Sequence, residues 1–112
     1  MKKLFYIGVL ILFLFACAGF DTWYQADLVV SGTANDININ FKNSQGDREQ
    51  VNNISPPWNF SFSARKGFEV ICIVQNNQET GTISIELYKD GQLLTSAFSD
   101  TAFAEISIQK KL

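Results

Sequence analysis

From Ala26 onward the chain alternates apolar and polar side chains with a period of two. Ala26, Leu28 and Val30 interleave with Asp27, Val29 and Ser31. The same alternation recurs at Ile37, Ile39 and Phe41 against Asn38, Asn40 and Lys42, and at Ile83, Ile85 and Leu87 against Ser84 and Glu86. Ala104, Ile106 and Ile108 close the series. A period of two sends neighbouring side chains to opposite faces, so each run predicts a strand with one face in a core and one in water. Trp58, Phe60, Phe62 and Ala64 share one face of a further strand that follows the corner at Pro56-Pro57, because a proline pair cannot continue a ladder. Trp58, large and placed where the chain turns inward, is expected to be the structural core anchor.

Two runs break the alternation informatively. Phe68 to Val74 is apolar on both faces, as in the middle of a sheet, whereas Arg48 to Ile54 is polar enough for an edge strand. Turn sequences separate the runs: Ser31–Asn35, Asn43–Asp47, Lys66-Gly67, Gln75–Glu79 and the two-residue hairpin signal Asp90-Gly91. The pattern predicts seven or eight antiparallel strands and no amphipathic helix outside the leader. The fold class is all-β, an immunoglobulin-like β-sandwich over residues 26–112.

The front of the chain has a different composition. Lys2 and Lys3 precede an apolar run from Leu4 to Phe15, followed by Ala16-Cys17-Ala18-Gly19. Residues 1–18 read as a signal peptide or membrane anchor, and 19–25 as a short linker or lead-in to the first strand. Three readings stand. Leu14-Phe15-Ala16-Cys17 resembles a lipobox, with Cys17 lipidated and first in the mature chain; this is the preferred reading. Ala16-Cys17-Ala18 also fits ordinary cleavage after Ala18. Leu4 to Phe20 is also long enough for a short uncleaved span. All three carry the domain out of the cytoplasm and predict a cell-envelope location. Trp23 and Tyr24 either pack on the domain or sit at the membrane surface.

Charge and chemistry narrow the function. With Lys2 and Lys3 set aside, seven lysines and arginines face eleven carboxylates. That balance argues against nucleic acid, or an anionic membrane face, as a partner. The chain has no histidine, the commonest general base and a common metal ligand. Cys72 lies inside the two-sided apolar run and reads as a small buried hydrophobe. Asp47 and Glu49 flank a hairpin and read as exposed strand-end charges. Glu86 and Glu105 fit the same outer face, at a separation the sequence leaves open. The asparagines of 35–59 and Asn76-Asn77 fit turns and a polar outer face. No catalytic residue, cofactor or metal site is expected. Tyr88, Phe98 and Phe103 either form a partner site at one end of the sandwich or pack at the core edge.

Val29-Val30-Ser31-Gly32, Ile37–Phe41, Asn43–Asp47, Gln50-Val51, Pro57-Trp58 and Lys89-Asp90-Gly91 together resemble the MmpS family. These are small membrane-tethered proteins that act as accessory partners of MmpL transporters of the RND class. The resemblance covers most of the chain after about Gln25. It implies an exported sandwich on an N-terminal tether that binds a protein partner and catalyses nothing. The expectation is therefore a non-catalytic envelope lipoprotein or tethered interaction domain, accessory to such a transporter. The alternative is a small β-sandwich carrier for a lipid or glycan.

Overall fold

The computed structural model describes residues 22–112. The leader, Cys17 and the start of the expected linker lie outside them. Eight strands form: β1 (Trp23–Ser31), β2 (Ile37–Lys42), β3 (Arg48–Ile54), β4 (Trp58–Arg65), β5 (Glu69–Asn76), β6 (Ile83–Lys89), β7 (Gln92–Ser99) and β8 (Glu105–Lys111). They make two four-stranded sheets, ordered β4-β1-β6-β7 (sheet A) and β3-β2-β5-β8 (sheet B). Every pairing is antiparallel. The architecture is the expected all-β sandwich.

The inward face of each alternating run makes the core. Leu28, Val30, Ile37, Ile39, Val70, Val74, Ile83, Ile85 and Leu87 are completely shielded from solvent. β5 runs between β2 and β8, as its two-sided apolar sequence requires, and the polar β3 is an edge strand. β4 buries Phe62 and Ala64 while Asn59, Ser61, Ser63 and Arg65 stay exposed. Trp58 is half-buried on this strand, at the edge of sheet A. Its ring meets Phe41 at 5.0 Å and Phe60 at 6.3 Å between centroids. The indole thus packs on the flank of the core, and the aliphatic side chains of the central strands fill its middle.

β1 starts three residues earlier than the alternation suggests, at Trp23 rather than Ala26. Trp23, Tyr24 and Gln25 ladder with Arg65, Ala64 and Ser63 of β4. The β6–β7 turn holds this extension from the other side. Asp90 and Gly91 both have positive φ, 51° and 82°, as a two-residue hairpin with the twist of its strands requires. Tyr24 lies under the Lys89 ammonium, 3.8 Å from ring centroid to Nζ.

The connections gather at two ends. The chain enters at Thr22, whose carbonyl accepts the Lys66 N–H at 2.9 Å, while Gly67 N–H donates to the Leu112 carbonyl at 2.8 Å. This proximal end also holds the β2–β3 and β6–β7 hairpins. The distal end carries the β1–β2 turn, the Pro56-Pro57 corner, and the β5–β6 and β7–β8 loops. There Thr33 and Thr82 exchange hydrogen bonds: Thr33 N–H to Thr82 Oγ1 at 3.1 Å, and Thr82 N–H to Thr33 Oγ1 at 3.0 Å. A Cβ on Gly32 would run into the Thr82 carbonyl, so this close approach needs a glycine.

Candidate functional site

Cys72 is fully buried at the centre of β5, opposite Phe41 of β2 and Ile108 of β8. Burial pushes its pKa up to about 12. A thiol held neutral in an apolar layer is no nucleophile at ordinary pH. The carboxylates do not converge either. Glu86 alternates with the core residues of β6, so it faces out from sheet A, where its Oε2 accepts the Tyr88 hydroxyl at 3.2 Å. Glu105 lies on the outer face of sheet B, opposite Gln75. The two therefore occupy opposite faces of the sandwich, which corrects the shared face read from sequence. Partial burial, and then the Glu86 charge, raise the Tyr88 phenol above its ordinary value. Glu49 accepts a hydrogen bond from Asn43 at 2.9 Å, and Asn43 Oδ1 takes the Asp47 N–H at 3.0 Å, so the asparagine side chain organises the hairpin. Among the described residues no three histidine, cysteine or carboxylate side chains gather as a metal site.

The asparagines do more than line turns. Asn76 is completely buried, against the expectation of an outer face. Its Nδ2 donates to the Thr80 carbonyl at 3.0 Å and its Oδ1 accepts the Gln78 N–H at 2.9 Å. The side chain stands in for the strand partners that the β5–β6 loop lacks, which removes the cost of burying an amide. Beside it, Asn77 Nδ2 donates to both Asp36 Oδ1 and Asn38 Oδ1, each at 3.0 Å. Asn53 donates to the same two acceptors through its side chain and backbone. Hydrogen bonds from Asn77 and then Asn53 hold the Asp36 carboxyl below its ordinary value. Sequence gave a local signal for this cluster, the density of asparagine, but not the pairing that brings β2, β3 and the β5–β6 loop together.

A hollow of about 220 Å³ opens on the outer face of sheet B. Asn38, Asn40, Gln50, Gln75, Arg48 and Glu105 surround an outward Ile73 there. It is a polar surface depression, outside the apolar layer between the sheets.

The aromatic residues divide between the ends. Tyr88 and Leu93 pair across β6 and β7 close to the proximal turn, so Tyr88 does not join the other two. Phe98 faces out from β7 opposite Ser84, near the distal end, and is 64 % exposed. Phe103 is 59 % exposed in the β7–β8 loop, at a positive φ of 52°, and its N–H donates to the Gln78 carbonyl at 2.9 Å. Both rings therefore project to solvent rather than pack at the core edge. Asp36, Glu79, Asp100 and Glu105 surround this distal end; of the described lysines and arginines, Arg48 comes toward it, across the hollow it shares with Glu105.

No protein-family model matches the chain, and no curated protein matches it in sequence.

Proposed function

We propose that the chain is a non-catalytic, membrane-tethered interaction domain of a bacterial cell envelope, docking a protein partner through its distal end. The carrying observation is the pair Phe98 and Phe103, the two most exposed large apolar side chains among the described residues at 64 % and 59 %. They sit on a domain whose core is already closed, at the end away from where the chain enters. Such rings are costly to leave in water and are favoured as interface anchors. The acidic surround calls for a partner with an apolar recess edged by basic side chains. The resemblance to the MmpS family names an RND-class transporter as the partner to test first. The absent histidine, the buried thiol and the separated carboxylates support a role without catalysis.

The alternative, a lipid or glycan carrier, needs a hollow at the aromatic end. The hollow on the outer face of sheet B, which borders the distal end at Glu105, is lined mainly by amides and charges, so the geometry weighs toward docking.

A photo-crosslinking residue placed at Phe103 in the full chain, in living cells, tests the reading. One discrete protein adduct is expected, and Phe98→Ser should reduce it about tenfold. Adducts to lipid alone, or none, would reject a distal docking site. Mass spectrometry of the mature amino terminus tests the tether: acylated Cys17 supports a lipid anchor, and an unmodified terminus at Gly19 removes it.

A further inference from the structure

The net negative charge conceals a separation of charge along the sandwich. Lys42 and Arg48 pair at the base of the β2–β3 hairpin, at the proximal end. Arg65 and Lys66 close β4 beside Thr22. Lys89 precedes the β6–β7 turn, and Lys110 and Lys111 end β8 opposite Val70 and Glu69. These are all the lysines and arginines of residues 22–112, and every one lies in the proximal half. The ten carboxylates of residues 22–112 are spread: Asp47, Glu49, Glu69 and Asp90 lie proximally, and Asp27, Asp36, Glu79, Glu86, Asp100 and Glu105 lie at mid-height or distally. The proximal end is therefore net positive and the remainder net negative. Trp23 belongs to the same end, 53 % exposed, with Arg65 stacked 5.1 Å above its ring.

We infer that the proximal end is a membrane-facing surface that docks on anionic lipid headgroups and stands the domain upright, its distal end outward. The inference rests on the tethered reading above, because the apolar leader joins the domain at this end. A tether alone limits distance and leaves orientation free. A basic end beside the anchor fixes orientation, since each lysine or arginine near an anionic leaflet adds attraction that decays within a Debye length. An exposed tryptophan beside those cations suits the headgroup layer. The overall charge balance had argued against an anionic membrane face, but attraction at short range follows the local charge, not the sum.

The test uses the full chain mixed with vesicles of neutral phosphatidylcholine, or of phosphatidylcholine with phosphatidylglycerol. Flotation with neutral vesicles reports the tether alone. Amine-reactive labelling of Lys42, Lys66, Lys89, Lys110 and Lys111, read by mass spectrometry, reports the docked end. On anionic vesicles these lysines should be shielded several-fold relative to neutral vesicles, and about 1 M salt should remove the shielding. Lys110→Glu with Lys111→Glu, both exposed at the end of an edge strand, should weaken the shielding of the other three by at least about fivefold per residue changed. Equal labelling on both vesicle types with flotation intact overturns the inference and leaves the tether standing. Flotation only with anionic vesicles, with the lysines shielded, overturns the tether and leaves the basic end standing.

Discussion

Asp90 holds Gln25 twice: its Oδ1 accepts the Gln25 N–H at 2.9 Å, and its own N–H donates to the Gln25 carbonyl at 2.8 Å. The residue that turns the β6–β7 hairpin also secures the start of β1. Asp90→Ala removes one of these bonds and places alanine at a φ of 51°, a region asparagine and aspartate tolerate better. A loss of about 1–2 kcal/mol is expected in urea unfolding, with Asp90→Asn closer to wild type. Equal midpoints for wild type and the alanine variant would remove this clamp from the account.

Asn76→Leu should be among the most damaging substitutions. It leaves the Gln78 N–H and the Thr80 carbonyl without their side-chain partner in a closed region. Unpaired buried amide groups cost about 1–3 kcal/mol each, so a loss of about 2–4 kcal/mol is expected. Asn76→Asp should be intermediate, since its oxygen still accepts from Gln78.

The two aromatic and aliphatic parts of the core should separate in a mutant series. Ile85→Ala, at a fully buried position, is expected to cost about 2–5 kcal/mol. Trp58→Ala removes ring contacts with Phe41 and Phe60 from a half-buried site. It should cost less than a fully buried tryptophan, about 1–3 kcal/mol, with each ring pair supplying about 0.5–1.5 of that. A Trp58→Ala loss exceeding that of Ile85→Ala would show that the indole does anchor the fold.

Cys72 supplies a pH prediction. Its folded pKa lies above the ordinary value of 9.0, at about 12, so the unfolded chain gives up this proton first. Its contribution is whole below about pH 9 and disappears as pH rises toward 12. Asp36 acts in the opposite direction: its lowered carboxyl pKa favours the fold above the ordinary 3.8 and loses that contribution as acid protonates it. Native protein should also leave Cys72 unreacted with a thiol reagent at pH 8, and denaturant should expose it. Rapid native labelling at Cys72 would contradict its burial.

How much of this was legible in the sequence depended on the range of the forces involved. The bounds of β4 follow from alternation and the proline corner, because burial on one face is written into adjacent residues; those of the polar β3 follow from the turn before it and the corner after it. β7 was harder. Leu94 and Ala97 both turn toward the core, three apart, because the register shifts opposite Leu87 and Tyr88, and a bulge changes the phase that a period of two relies on. The extension of β1 to Trp23 depends on Asp90, far along the chain. The burial of Asn76 depends on a loop closing over it, and asparagine has the same letter in water or in a core. The split of charge between the ends was visible only once the strand register placed Lys42, Lys66, Lys89 and Lys111 at one end of the sandwich. Phe98 and Phe103 could be named from sequence, but their exposure is a property of the finished surface.

The first strand has a consequence for how the molecule comes into being. β1 is an inner strand of sheet A, and both its neighbours come from much later in the chain: Val30 meets Trp58, and Ser31 meets Ser84. Closing those intervals costs loop entropy before any ladder bond repays it. A polypeptide emerging N-terminus first from the ribosome therefore presents this inner strand unaccompanied. That strand waits for β4 and then for β6, which ends at Lys89. Sheet A can close only after most of the domain has been made.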